Sequence, residues 1–170
     1  MRRLIEVLEG HWTCHVIHAP NKQIPDGATS SGWEDCRAGP GRTSILFDTR
    51  AHGALGTFEG AGFITGEDDA YDLYSLTSAS AQPGVFTGRW HGGNVIFDGH
   101  ECIADRRFAS RHSISDIGAD AFVYTIEMGS APEDLTRTAT IRYARYCSSA
   151  DTTEVTRWMA NSRTRPDAGS

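Results

Sequence analysis

GVFTGRWHGGNVIFDGHE, residues 84–101, contains two alternating runs joined by Gly92-Gly93. A two-residue loop of this composition favours a tight hairpin, because its central positions need positive φ, which glycine adopts without strain. The loop sets a register in which His91 faces Asn94, Trp90 faces Val95 and Phe86 faces Gly99. Phe86, Trp90, Val95 and Phe97 then share one face, while Thr87, Arg89, His91, Asp98 and His100 line the other. Arg89 and Asp98 become diagonal cross-strand neighbours. One apolar and one polar face describe a half-buried antiparallel ladder.

The same period of two runs through most of the chain. Trp12, Cys14 and Val16 form one face of a first strand, 12–18, and the proline-containing 19–28 is a loop. Strands follow over 29–37 and in TSILFDTR, 43–50, with Ile45 and Phe47 on one side. The run 54–64 carries Gly56, Gly60 and Gly62 on the face of Phe58, a pattern expected where a sheet curves. Its glycines do not form a phosphate loop, because no lysine and no helix follow them. AYDLYSLTS, 70–78, is the next strand. Beyond the hairpin, 104–114 places Phe108, Ser110, His112 and Ile114 together, and 121–128 does the same for Phe122, Tyr124, Ile126 and Met128. The segment 136–147 alternates as well. Only the ends depart from the period. Leu4, Ile5 and Leu8 make a short helical stripe that Gly10 ends, and Asp151 to Glu154 resembles a capping box ahead of Val155, Trp158 and Met159. Residues 148–170 are therefore expected to be an extension with a frayed tail, outside a domain spanning 1–147; within it 152–160 suit a short helix slightly better than a strand, which Thr152, Thr153 and Val155 would also fit.

About ten antiparallel strands with short connections predict an all-β fold. So many strands must close or split to protect their edges, and the curvature glycines favour an up-and-down barrel over a sandwich. The charge balance, 16 basic against 22 acidic residues for a net −6, excludes a partner recognised through phosphate neutralisation, so no nucleic acid is expected. The pairs Arg2-Arg3 and Arg106-Arg107 are read as solvated surface. Cys14, Cys36, Cys102 and Cys147 are widely separated, with no metal-type spacing, and MRRLIEVLEG lacks the apolar core of a signal peptide. Reduced cysteines in the cytoplasm are the expectation. No run approaches the ~20 apolar residues of a membrane helix, so no membrane partner is expected.

Gly10-His11-Trp12 after a short helix resembles the Gly-x-Trp signature that opens the first strand of lipocalin-like (calycin) barrels. FEGAGFITGEDDAYDLYSL and GVFTGRW…NVIFDG are similar in layout to a bacterial lipocalin-like family of unknown function, over about residues 4–146. The resemblance implies a barrel with an internal cavity, closed at one end by Gly10 and Trp12 packed on a late-strand arginine, Arg142 or Arg145. Arg142 is the first choice. The related haem-binding nitrobindins carry further glycines after the tryptophan where this chain has Thr13 to Val16. That departure counts against haem, so no cofactor is expected.

A barrel of this size can hold one small ligand. By alternation, Trp33, Phe47, Phe58, Trp90, Phe97, Phe122 and Tyr124 are candidates for the cavity wall. His112, Glu101 and Tyr124 share inward faces, and such a trio in an apolar pocket suits acid–base work. His11 and His15 lie on one face about 13 Å apart, with His18 on the other, so no zinc site forms there. No nucleophile elbow is present. The leading reading is a binder of a small, largely apolar ligand. The alternative is a cofactor-independent isomerase, cyclase or lyase using the same cavity. A structural or protein-partner module with a filled barrel is the third, and a homodimer stays open under each.

Overall fold

Among the described residues, one α-helix is followed by ten strands, with short 3-10 turns at Pro40–Arg42 and Pro132–Asp134. Helix α1 (Arg2–Leu8) precedes β1 (Gly10–His18), β2 (Ala28–Ala38), β3 (Ser44–Gly53), β4 (Gly56–Glu67) and β5 (Ala70–Thr77). Then come β6 (Gly84–His91), β7 (Asn94–Ile103), β8 (Arg106–Ser115), β9 (Ala121–Gly129) and β10 (Thr136–Arg145). The computed structural model describes residues 1–146 apart from 68 and 105. The helix and frayed tail expected after residue 147 lie outside the described residues.

Each strand pairs antiparallel with the next, and β10 returns to β1, so the sheet is a closed barrel with no free edge. Closure sets Trp12 opposite Arg145 and Val16 opposite Ile141. The Gly92-Gly93 hairpin has the register expected from its loop, with φ of 57° and 88° at the two glycines. Asp98, however, does not pair diagonally with Arg89. Its carboxylate accepts from Arg111 Nε at 2.7 Å, because Arg111 stands directly opposite it on β8.

One end of the barrel is plugged. Helix α1 buries Leu4 and Ile5 completely and Leu8 nearly so. Three such side chains contribute roughly 5–9 kcal/mol of transfer free energy before the cost of ordering the segment. The helix ends with the Glu9 backbone N–H donating to the Ile5 carbonyl, and the chain turns directly into β1. At that corner Trp12 is 1% exposed, and its Nε1 donates to the Leu8 carbonyl at 2.8 Å. Its ring meets Phe122 edge-on with centroids 4.8 Å apart.

The arginine on the indole is Arg145. Its guanidinium carbon lies 4.3 Å from the ring centroid, Nη1 donates to the Glu9 carbonyl at 3.1 Å, and Nε donates to the Ala119 carbonyl at 3.1 Å. Arg142 is instead exposed on the outer wall, since Ile141, Tyr143 and Arg145 take the inner phase of β10. Gly10 explains the rest of the Gly-x-Trp corner. Its φ of 148° disfavours any side chain, and a Cβ there would run into the Arg145 guanidinium.

No helix among the described residues is long and apolar enough to cross a membrane. Cys14, Cys36 and Cys102 are free thiols.

Removing the Arg145 guanidinium strips a cation–π contact and leaves the Glu9 carbonyl without its donor. Arg145→Ala is expected to cost about 1–3 kcal/mol, against under ~0.5 kcal/mol for Arg142→Ala. Urea unfolding monitored by tryptophan fluorescence checks the contrast, and equal midpoints for the two variants would contradict it.

Candidate ligand cavity

The inner faces of the strands do not fill the barrel. Above the α1 plug lies a cavity of about 520 Å³. Its wall is mainly aliphatic and aromatic, including Ile45, Phe47, Ile64, Leu73, Phe97 and Ile114. It reaches the surface at the end away from α1, where the lining residues Leu55, Phe58 and Leu76 are 52%, 40% and 57% exposed. Loop residues Asn21, Gln23 and Ile24 border the same mouth. The mouth thus mixes apolar side chains with amides, while both carboxylates lie on the wall within.

Of the seven wall candidates, Phe47, Phe58, Phe97, Phe122 and Tyr124 line this space. Trp33 does not. Ser30, Glu34 and Cys36 occupy the inner phase of β2, so Trp33 faces outward and is 37% exposed. Trp90 faces inward but sits in the base, where its Nε1 donates to the Tyr71 hydroxyl at 2.8 Å and the Arg3 guanidinium covers it at 3.8 Å. It belongs to the plug rather than to the cavity wall. The glycines of β4 make room inside: the Phe47 ring occupies the space over Gly62.

His112, Tyr124 and Glu101 meet in one hydrogen-bonded chain. The Nδ1 of His112 lies 2.6 Å from the Tyr124 hydroxyl, and Nε2 lies 3.1 Å from Glu101 Oε1 and 3.0 Å from Ser110 Oγ. Ser110 donates its own proton to the Glu127 carbonyl at 3.3 Å, so its oxygen is an acceptor toward the ring. The proton on the imidazole therefore belongs on Nε2, shared between Glu101 and Ser110, and Nδ1 accepts from Tyr124. The imidazole is buried, with Phe86 packed on it at 4.4 Å between centroids. These three strands deliver their residues by register: His112 stands opposite Phe97 and Ile126, and Tyr124 opposite Ile114.

A second polar group faces the same space, and the sequence reading passed over it. Glu34 pairs in register with Trp12 and so emerges just above the base. Its Oε2 accepts from the Tyr143 hydroxyl at 2.7 Å and its Oε1 from the Cys36 thiol at 3.3 Å. The surface it retains opens into the cavity rather than toward bulk water. Desolvation accordingly raises its pKa above the ordinary 4.5, opposed by the two donated hydrogen bonds. Burial first, and the charge of Glu34 second, push Tyr143 and Tyr124 well above the usual phenol range, and Cys14 up to about 12. Glu101 adds to the effect on Tyr124, which thus lies within the field of both carboxylates. The signal for Glu34 was available: a carboxylate two residues before Cys36, in phase with it on the inner side of β2.

The histidines near the N-terminus diverge. His11 pairs with Asp35 on the outside at 3.1 Å, and His15 contacts Ser31 there at 3.3 Å. His18 turns inward near the mouth, where burial lowers its pKa. Among the described residues no three histidines, cysteines or carboxylates gather as a metal site.

The fold recurs in solved structures at low sequence identity. Rv2717c from M. tuberculosis is 10% identical, with a TM-score of 0.63 over 85% of this chain and 96% of that one. The S-type phycobiliprotein lyase CPES from Guillardia theta is 13% identical, with a TM-score of 0.62 over 86% of this chain and 93% of that one. No family model matches the sequence, and no curated protein is detectably similar to it. At these identities the likeness establishes the fold alone, a closed antiparallel β-barrel.

Because the folded-state pKa of Glu34 is raised, ionising it opposes folding. That penalty is absent below about pH 4.5, grows as pH climbs from there to the folded-state value, and stays constant above it. Glu34→Gln is free of the penalty. Its stability relative to the parent chain should therefore improve between pH 4 and pH 8, read from paired denaturation curves. A difference independent of pH would show that Glu34 ionises as readily in the fold as outside it.

Proposed function

We propose that the barrel binds one small, largely apolar molecule inside the cavity. The observation that carries this reading is the hollow itself: about 520 Å³ of space, apolar-walled, reaching the surface at one end, with a few convergent polar groups inside. Ligand sites in proteins have this size and this mixture, the wall supplying affinity and the polar groups orientation. A sheet evolved only for stability would fill the space, since each empty volume forfeits dispersion contacts. That one structural neighbour is named as a phycobiliprotein lyase is in keeping with a barrel that handles a small molecule.

A second reading rests on the Tyr124–His112–Glu101 chain. A carboxylate orients the imidazole, whose Nδ1 in turn accepts from the Tyr124 hydroxyl at 2.6 Å. In a cofactor-independent isomerase, cyclase or lyase, His112 would move a proton through Tyr124 to or from a ligand in the cavity. The wall would hold the substrate in a reactive shape.

N-phenyl-1-naphthylamine, a neutral apolar dye, tests the cavity. Its fluorescence should rise on titration into the full chain. Ala51→Trp, which fills the space from β3, should weaken dye binding at least about tenfold while circular dichroism stays unchanged. Failure of the parent chain to bind, or equal binding by the variant, would remove the ligand reading. To separate binder from enzyme, molecules released from the purified protein are identified by mass spectrometry and returned to it in D2O. Deuterium uptake that disappears in His112→Gln with affinity retained supports catalysis; no uptake by the parent chain leaves binding alone.

A further inference from the structure

The charge inside the cavity is one-sided. Two carboxylates, Glu34 and Glu101, line it, and no lysine or arginine does among the described residues. Glu101 accepts from the Nε2–H of His112 at 3.1 Å, on a ring that also contacts Ser110 and Tyr124. Glu34 has only neutral donors, the Tyr143 hydroxyl and the Cys36 thiol, one to each oxygen. A carboxylate oxygen has two acceptor sites, so each keeps one free. No cation balances Glu34 among the described residues. His18, the other histidine on the wall, lies near the mouth and is held toward its neutral form by burial.

Resting on the ligand-cavity reading, we propose that the molecule bound here is an amphiphile whose buried end carries a protonated amine or a comparable N–H cation, seated against Glu34. Such a group enters head first. Its N–H bonds take the free lone pairs of the carboxylate, and its apolar remainder runs along Ile64 and Leu73 toward Phe58 and Leu76 at the mouth. The raised pKa of Glu34 does not oppose this. Whichever partner brings the proton, one proton ends up shared between nitrogen and oxygen in a desolvated site, where a charge-assisted bond is strongest. The Tyr143 hydroxyl and Cys36 thiol stay in place and fix the carboxylate plane. Anionic head groups are disfavoured at the same spot, since the field of Glu34 has no counter-charge.

Three ten-carbon compounds that differ only in the head group give the test: decylamine, decanol and decanoate, each displacing N-phenyl-1-naphthylamine from the full chain. The amine should displace at a concentration at least about tenfold below the alcohol, with the carboxylate weakest. Glu34→Gln should bring amine and alcohol to within about threefold of each other while the dye still binds. Glu67→Gln, which removes an exposed carboxylate outside the cavity, should leave the amine preference standing. Raised salt distinguishes general attraction to a negatively charged protein from the buried contact: only the former fades with screening. If the amine is no better than the alcohol on a chain that binds the dye, or keeps its advantage in Glu34→Gln, the assignment to Glu34 is wrong. Failure to bind the dye at all would instead count against the cavity reading.

Discussion

The contact between Arg145 and Trp12 joins the two ends of the sheet, and the rest of the barrel depends on it. The indole closes the base, and the guanidinium covers it at the end of the β1–β10 ladder and completes the hydrogen bonding of the corner where helix becomes strand. Gly10 is required because any side chain would take the guanidinium's place. Without this closure β1 and β10 would present open edges, and the hollow would lose its floor. The interaction is small in energy beside the buried core, but it converts a curved sheet into a container.

The container has a direction. Helix α1 and the Trp12 layer seal one end with apolar side chains, so polar groups just above them are cut off from water. Glu34 is placed there by its pairing with Trp12. The Tyr124–His112–Glu101 chain comes from the opposite side of the wall, on β7, β8 and β9. The mouth mixes apolar side chains with Asn21 and Gln23 and is partly exposed. Polar contacts there compete with water, whereas discrimination between ligands resides at depth, where desolvation strengthens each polar contact.

Much of the fold was legible because a strand's period of two leaves few choices. The Gly92-Gly93 loop fixes its own register, and alternation alone sets His112 and Tyr124 on the inner phases of β8 and β9. Errors arose where alternation alone decides too little. Trp33 is as large and apolar as a core residue, but in β2 the inner phase belongs to Glu34 and Cys36, which look like surface and filler. Trp90 has the right phase and the wrong height, since phase says which way a side chain points and not how far it lies from the plug. Arg142 and Arg145 are three apart and so take opposite faces. Only the pairing of β10 with β1 places the second on the indole. Asp98 shows the same limit, because its partner Arg111 belongs to a strand outside the hairpin.

Nine of the ten strand pairings join neighbours in sequence, through connections of a few residues. The tenth, β1 with β10, spans nearly the whole described chain. Hairpins of the first kind zip locally and early, whereas the seam requires a long loop to be closed before any contact rewards it. The barrel is thus a ribbon that assembles piecewise and acquires its interior in one late event. Until residue 145 has been synthesised and brought home, there is no inside for a ligand to enter.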